Sequence, residues 1–105
     1  MGYHVELSDR AFEDLSRLYK RIDAENSEQA LEWFEGLERQ ILKLDENPGR
    51  GVRTREDETL RQIFYGRGRN VYRVIYEIDA TQSLVKVIHV RFGARRAFDP
   101  ASVRK

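Results

Sequence analysis

Two stretches near the C-terminus limit what this chain can fold into: Leu60-Arg61-Gln62-Ile63-Phe64-Tyr65-Gly66-Arg67-Gly68-Arg69-Asn70-Val71-Tyr72-Arg73-Val74-Ile75-Tyr76-Glu77-Ile78-Asp79, and Val85-Lys86-Val87-Ile88-His89-Val90-Arg91-Phe92-Gly93-Ala94-Arg95-Arg96. Their β-branched and aromatic residues recur at alternate positions, the period of a strand buried on one face. Arginines occupy many of the intervening positions, so a sheet built from these strands carries cations on its other face. The charge distribution agrees: 12 acids and 6 bases over residues 1–46 give net −6, and 6 acids and 13 bases over residues 47–105 give net +7. A formal net charge of +1 thus hides a polarised molecule, whose C-terminal half would attract polyanions or an acidic protein segment.

Upstream, Tyr3, Val5 and Leu7 alternate with His4 and Glu6, which predicts a first strand. Ser8 is placed to cap a helix whose stripe is Ala11, Phe12, Leu15, Leu18, Tyr19 and Ile22. After a turn at residues 23–26, Ser27 caps a second helix carrying Ala30, Phe34, Leu37, Ile41 and Leu44, with Trp33 one step off that stripe and packed between the helices. Asn47-Pro48-Gly49 stops it, a polar loop covers residues 51–59, and strands follow at residues 60–65, 71–79 and 84–92. The first two of these are joined by a turn over residues 66–70, whose glycines and asparagine suit positive backbone angles. Residues 96–105, broken by Pro100, read as a loosely ordered tail.

The expected fold is therefore α+β: an N-terminal strand, an antiparallel helical hairpin, then a three-strand antiparallel meander, forming one sheet with the helices on one face. Alternation assigns Tyr72, Val74, Tyr76 and Ile78 to the helix side, with Ile88, Val90 and Phe92 on the last strand. The open face then collects Arg61, Ile63, Tyr65, Arg73, Ile75, His89 and Arg91, with Arg95 just beyond the strand end. A chain of 105 residues suits one domain, residues 1–105, burying roughly two-thirds of its unfolded surface. It has no cysteine, and two histidines among scattered acids form no metal-ligand spacing, so neither a metal nor a cofactor is expected. No apolar run approaches the ~20 residues of a membrane span and no signal-peptide pattern opens the chain, which predicts a cytoplasmic protein without a membrane partner.

The pattern Tyr72-Arg73-Val74-Ile75-Tyr76, the preceding Leu60-Arg61-Gln62-Ile63 and the ending Val87-Ile88-His89-Val90-Arg91-Phe92-Gly93-Ala94-Arg95 together resemble the RelE/ParE superfamily, the toxins of bacterial type II toxin-antitoxin pairs. The resemblance covers nearly the whole chain. It implies a ribosome-dependent messenger RNA endonuclease that inhibits translation, with gyrase inhibition as the alternative activity. RelE-like members are metal-independent endoribonucleases that cut messenger RNA on the ribosome and arrest growth; ParE-like members share the fold and inhibit DNA gyrase. A member that only binds its antitoxin is a third possibility. In each case it implies a cognate antitoxin whose C-terminal segment wraps the sheet and helices, with apolar residues laid over Ile63 and Ile75 and acids meeting Arg61, Arg73 or Arg95. Arg73 matches the family's central-strand arginine and Arg95 the arginine after the last strand's glycine. Arg61 lies near the lysines of the nucleases, and Phe98 stands in a tail where nucleases often carry a stacking tyrosine.

Cleavage of RNA by its own 2′-hydroxyl needs a base, positive charge on the phosphoryl oxygens and an acid for the leaving oxygen. Arg73 and Arg95 suit the phosphate, since guanidinium binds it in a bidentate way and stays charged. His89, whose ordinary pKa is near 6.5, is suited to proton transfer. Arg73, His89 and Arg95 are thus the catalytic candidates, and Arg61, Tyr65, Arg91 and Phe98 the substrate-binding ones. The structural alternatives are a strand histidine bonded to a neighbour and an Arg73 paired with Glu77 or another nearby acid. Arg67 and Arg69 in the turn read as general electrostatic contacts.

Overall fold

Ser8 and Ser27 start the two helices as their positions predict: each hydroxyl accepts the N–H three residues on, from Ala11 at 3.0 Å and from Ala30 at 3.2 Å. In the computed structural model, which describes residues 2–103, β1 (His4–Leu7) leads into α1 (Asp9–Arg21) and α2 (Glu28–Leu42). Two short 3-10 turns, Lys43–Asp45 and Pro48–Arg50, carry the chain to β2 (Val52–Arg53). The strands β3 (Arg61–Arg67), β4 (Asn70–Asp79) and β5 (Leu84–Phe92) follow, and α3 (Pro100–Val103) closes the described chain. The five strands form one sheet in the order β1-β5-β4-β3-β2. β1 runs parallel to β5 and the other pairs are antiparallel. The expected α+β architecture holds, with β2 added at the far edge.

The helical hairpin covers one face. Ala11, Leu15 and Leu18 of α1 and Phe34, Leu37 and Ile41 of α2 meet Ile63, Tyr72, Val74, Tyr76, Val85, Val87 and Val90 in the main core. Phe12 departs from the predicted stripe and is 64% exposed. Trp33 packs between α2 and the sheet, edge-on to Tyr65 and Tyr72, rather than between the helices. The opposite face is also covered. Leu60, Ile75 and Ile88 form a second small core with Phe98 and Val103, so the predicted loose tail is laid down on the sheet.

The face assignment of β3 is inverted from the expectation, and the turn explains it. Arg67 pairs with Asn70, which leaves only Gly68-Arg69 in the bend rather than residues 66–70. Gly68 has φ +62°, suiting a two-residue hairpin loop that wants glycine first, and at Gly66, φ +107°, a Cβ would sit 1.9 Å from the Asn70 carbonyl oxygen. The register becomes Tyr65 opposite Tyr72, Ile63 opposite Val74 and Arg61 opposite Tyr76. A shift of one residue turns every side chain over. Arg61, Ile63 and Tyr65 therefore lie on the helix side, and Leu60 and Gln62 on the other.

On β5 a bulge has a similar effect. Ile75 pairs with His89 but Tyr76 pairs with Val87, leaving Ile88 as the extra residue. Ile88 turns away from the helices and joins the second core, against the simple alternation.

The crossing from α2 to β2 is fixed by Tyr76. Its buried hydroxyl accepts the Gly51 N–H at 3.0 Å and donates to the Pro48 carbonyl at 2.5 Å. A Cβ on residue 51 would meet that hydroxyl at 2.4 Å, which is why glycine stands there. Tyr76→Phe should keep the fold while leaving two main-chain groups unpartnered. The expected cost is about 1–3 kcal/mol, read as a lowered urea midpoint at unchanged slope.

Candidate functional site

Arg73 is the central residue of the second face. It sits on β4, the middle strand, and is 1% exposed. A buried guanidinium needs acceptors for its fork of donors. Glu56, from the loop between β2 and β3, supplies a bidentate carboxylate, with Nη1 to Oε2 at 3.1 Å and Nη2 to Oε1 at 2.9 Å. Nε donates to Gln62 Oε1 at 2.6 Å, and Nη1 also donates to the Arg96 carbonyl at 2.8 Å. The Phe98 ring lies against the guanidinium, its centroid 5.1 Å from Cζ. The acid that fills the Arg73 fork is thus Glu56. The hydrogen bonds from Arg73 hold the Glu56 carboxyl below its ordinary value, against an opposing effect of burial.

Glu56 reaches Arg73 because its loop is folded on itself. The Thr54 hydroxyl donates to the Asp57 carbonyl at 2.6 Å and accepts the Asp57 N–H at 3.1 Å, while the Thr59 N–H and hydroxyl both bind Asp57 Oδ1. Polar character had marked residues 51–59 as a loop, but nothing in the pattern marked Glu56 as the partner of Arg73.

His89 is also buried, 4% exposed, with Nδ1 at 2.6 Å from Asp14 Oδ2. Against a carboxylate, that nitrogen carries the proton. The same oxygen accepts the Val90 N–H at 2.9 Å, and Arg10 Nε donates to the other carboxylate oxygen at 3.2 Å. The physical cause is the short first strand. β1 ends at Leu7, opposite Val87, so β5 runs on with an unpaired edge that Asp14 reaches from α1. Burial tends to raise the Asp14 pKa, but the bonds from His89 and Val90 and the charge of His89 hold it below its ordinary value. Asp14 stands three residues after Ala11 and four before Leu18, on the flank of the buried stripe, and this spacing was the available sign of it.

Arg91 lies directly across from Arg73 in the β4–β5 register, with its Cζ 5.8 Å from the Phe98 centroid. Its Nε is sealed from solvent without a hydrogen-bond acceptor among the described residues. Burial first, then the positive charge of Arg73, lowers the Arg91 pKa. Arg95 is exposed past the end of β5.

The structure thus brings Arg73, His89, Arg91 and Phe98 together and separates two other candidates from them. Arg61 Nη1 donates to the Gly51 carbonyl at 2.8 Å on the helix side. The Tyr65 hydroxyl donates to the Trp33 carbonyl at 2.7 Å, also on the helix side. Both owe this to the hairpin register. Ile63 lies under the helices and Ile75 under the tail, so neither offers an open surface for a partner.

Residues 5–97 match the family described as the ParE toxin of the type II toxin-antitoxin system parDE. The chain belongs to this family. A sequence comparison with curated proteins finds no match. Among solved structures, this ParE-family chain resembles the chromosomal ParDE system of P. aeruginosa with TM-score 0.69 at 15% identity, covering 86% of this chain and 95% of that one. It resembles the RelBE2 toxin-antitoxin complex of Mycobacterium tuberculosis with TM-score 0.60 at 23% identity, over 89% of this chain and 100% of that one. The isolated E. coli RelE toxin gives TM-score 0.63 at 20% identity, over 90% and 87% of the two chains. At these identities the likeness to the solved structures is one of fold. The chain is a type II toxin of the RelE/ParE superfamily, as its strand motifs implied. Among the described residues, no helix is long and apolar enough to cross a membrane and no group of histidines and acids could hold a metal ion.

In this ParE-family toxin the lowered carboxyls of Asp14 and Glu56 contribute to the pH dependence of stability. Their contribution is complete above the unfolded carboxylate range of about pH 4–4.5 and is lost as pH falls through the lower folded values. Glu56→Gln should cost about 3–5 kcal/mol at neutral pH, because it leaves Arg73 buried without its counter-charge. The cost should shrink toward pH 3, where wild type has lost part of the same contribution. Urea unfolding of both proteins at pH 7 and pH 3 measures this.

Proposed function

We propose that this toxin arrests growth by binding a protein target, DNA gyrase, as ParE-like toxins do, rather than by cleaving RNA. The observation that carries the reading is the engagement of two of the three catalytic candidates, Arg73 and His89, while Arg95 is exposed. Arg73 holds Glu56 in a bidentate pair and His89 holds Asp14, with Phe98 packed against both. A nuclease needs its phosphate-binding cation and its proton-transfer group open to substrate. Here Arg73 and His89 act as internal connectors of the fold. The family match over residues 5–97 points the same way.

A cognate antitoxin is part of this proposal, since the RelBE2 and ParDE structures are those of toxin-antitoxin systems. The surface offered to its C-terminal segment is the groove between α1 and α2, where Leu7, Phe12, Tyr19 and Leu31 are bordered by Glu35 and Glu38. Phe12, 64% exposed there, gains most from being covered.

One observation favours the second reading, a ribosome-dependent messenger RNA endonuclease. The carboxylate of Asp14 fixes the tautomer of His89, which is how a general base is oriented in many hydrolytic sites. Ribosome and messenger RNA would then be the partners.

Inducing the chain without its antitoxin separates the two readings. The proposal expects purified toxin to block DNA supercoiling by gyrase, and induced cells to stop growing with the 5′ ends of their messages unchanged. Normal supercoiling together with new 5′ ends inside translated codons, absent in His89→Ala, would establish the nuclease instead. Unimpaired growth at good expression would indicate a member that only binds its antitoxin.

A further inference from the structure

We infer that the sheet end beside Tyr72 and Phe92 is the surface that docks the protein target, and that it takes an acidic segment carrying one large apolar side chain. The inference rests on the reading of this toxin as one that binds a protein rather than cutting RNA.

The surface is an open hollow of about 260 Å³ between the C-terminal half of α1, the start of β4 and the end of β5. Leu18, Tyr72, Val90 and Phe92 make it apolar, and the exposed Arg17 and Arg21 border it. Asp14, the acid in its wall, is already bonded to His89, Val90 and Arg10. The volume falls below the ~300–1,000 Å³ of small-molecule sites, so the hollow suits a single inserted side chain. Phe92 is 39% exposed although its ring meets Tyr72 edge-on, and covering it would complete a burial the fold has begun.

Arg21 supplies the charge. Its Cζ lies 5.8 Å from the Tyr72 centroid and 6.0 Å from that of Phe92, and it donates to the Tyr72 hydroxyl. Two rings and a hydroxyl therefore position this guanidinium, yet no carboxylate pairs with it among the described residues. Asp23, two residues on, is engaged by the Asn26 amide at 2.8 Å. Further exposed cations extend the edge: Arg69 in the hairpin bend, and Arg96, whose side chain packs over Gly93 just after Phe92. A cation held in place with donors to spare is preorganised for a carboxylate from outside.

The rings favour a protein over a nucleic acid. A nucleobase needs an open ring face to stack on. Here Trp33 and Tyr72 meet at 65° and Tyr72 and Phe92 at 69°, with the Arg21 guanidinium over the last two. Tyrosine, tryptophan and arginine around a small hollow are the residues on which protein interfaces most often depend.

The test compares wild type with Arg21→Glu, Arg21→Gln and Arg53→Glu, the last a charge-matched control on β2 at the far edge of the sheet. Binding to immobilised gyrase holoenzyme is measured at two ionic strengths, and binding to the antitoxin in parallel. The proposal expects Arg21→Glu to weaken gyrase binding about tenfold, chiefly through slower association with a flatter salt dependence, and Arg53→Glu to stay within about twofold of wild type. Arg21→Gln, which keeps a donor for Tyr72, should fall between them and carries the test if Arg21→Glu misfolds. Gyrase binding equal to wild type in both Arg21 variants would overturn the proposal. So would loss of antitoxin binding in a folded Arg21 variant, which would assign the surface to the antitoxin. If wild type itself does not bind gyrase, the gyrase reading fails and the surface is tested separately, by nuclear magnetic resonance titration with an acidic peptide bearing one central leucine and with a short oligothymidylate. Shifts around Arg21, Tyr72 and Phe92 with the peptide, weakened in Arg21→Glu and in a peptide with alanine for leucine, uphold the docking surface. Shifts with the oligonucleotide alone, or with neither, overturn it.

Discussion

The burial of one guanidinium on the central strand organises this molecule. Arg73 is enclosed on a strand flanked by two others, and a cation in that position is tolerated only with a full set of acceptors. Each acceptor comes from a different part of the chain. Glu56 brings in the loop before β3, Gln62 fixes the register of β3 against β4, and the Arg96 carbonyl brings in the tail. The second core of Leu60, Ile75, Ile88, Phe98 and Val103 forms beside these bonds. Because its pieces are small and far apart in sequence, the polar set supplies the geometry and the apolar set the area.

The elements of the fold were legible because they rest on local signals. Serine caps, a stripe of apolar residues and two long alternating runs each predict an element with little help from the rest of the chain. The faces were less legible, since a face depends on register, and register depends on one turn and one bulge. Counting Gly66 to Asn70 as a bend, rather than Gly68 and Arg69 alone, moves Arg61 and Tyr65 across the sheet. Within the site, Arg73, His89, Arg91 and Phe98 were readable as residues in the right place. Their acidic partners were not, because a helix flank and a polar loop reach the strands only through tertiary folding. Phe98 stood out as an aromatic in the tail, but its burial against two arginines depends on that same folding.

The polarity of charge along the sequence has a structural counterpart. Asp14 belongs to the acidic N-terminal half and His89 to the basic C-terminal half, and their contact fastens α1 to the edge of β5. On the surface Glu35 and Glu38 line the groove between the helices together with Lys20, while Arg67, Arg69, Arg95 and Arg96 are exposed at the sheet end and the tail. The exposed arginines of the C-terminal half would orient an anionic partner on approach, before any contact forms.

The two acids also tie access to stability. Asp14 and Glu56 come from opposite sides of the sheet, and each holds a residue on one of two adjacent strands. Any event that frees Arg73 or His89 for chemistry must therefore break a bond that fastens α1, the loop or the tail to the sheet. The reverse also holds: a ligand that replaces one of these acids takes over its structural role and stabilises the protein as it binds. A fold that uses its cations in this way can retain arginines and a histidine for packing after the chemistry is gone, or retain the chemistry behind a cover. Shared residues among toxins of this shape are thus weak evidence of shared activity. The partners of those residues, and whether they can leave, carry the distinction.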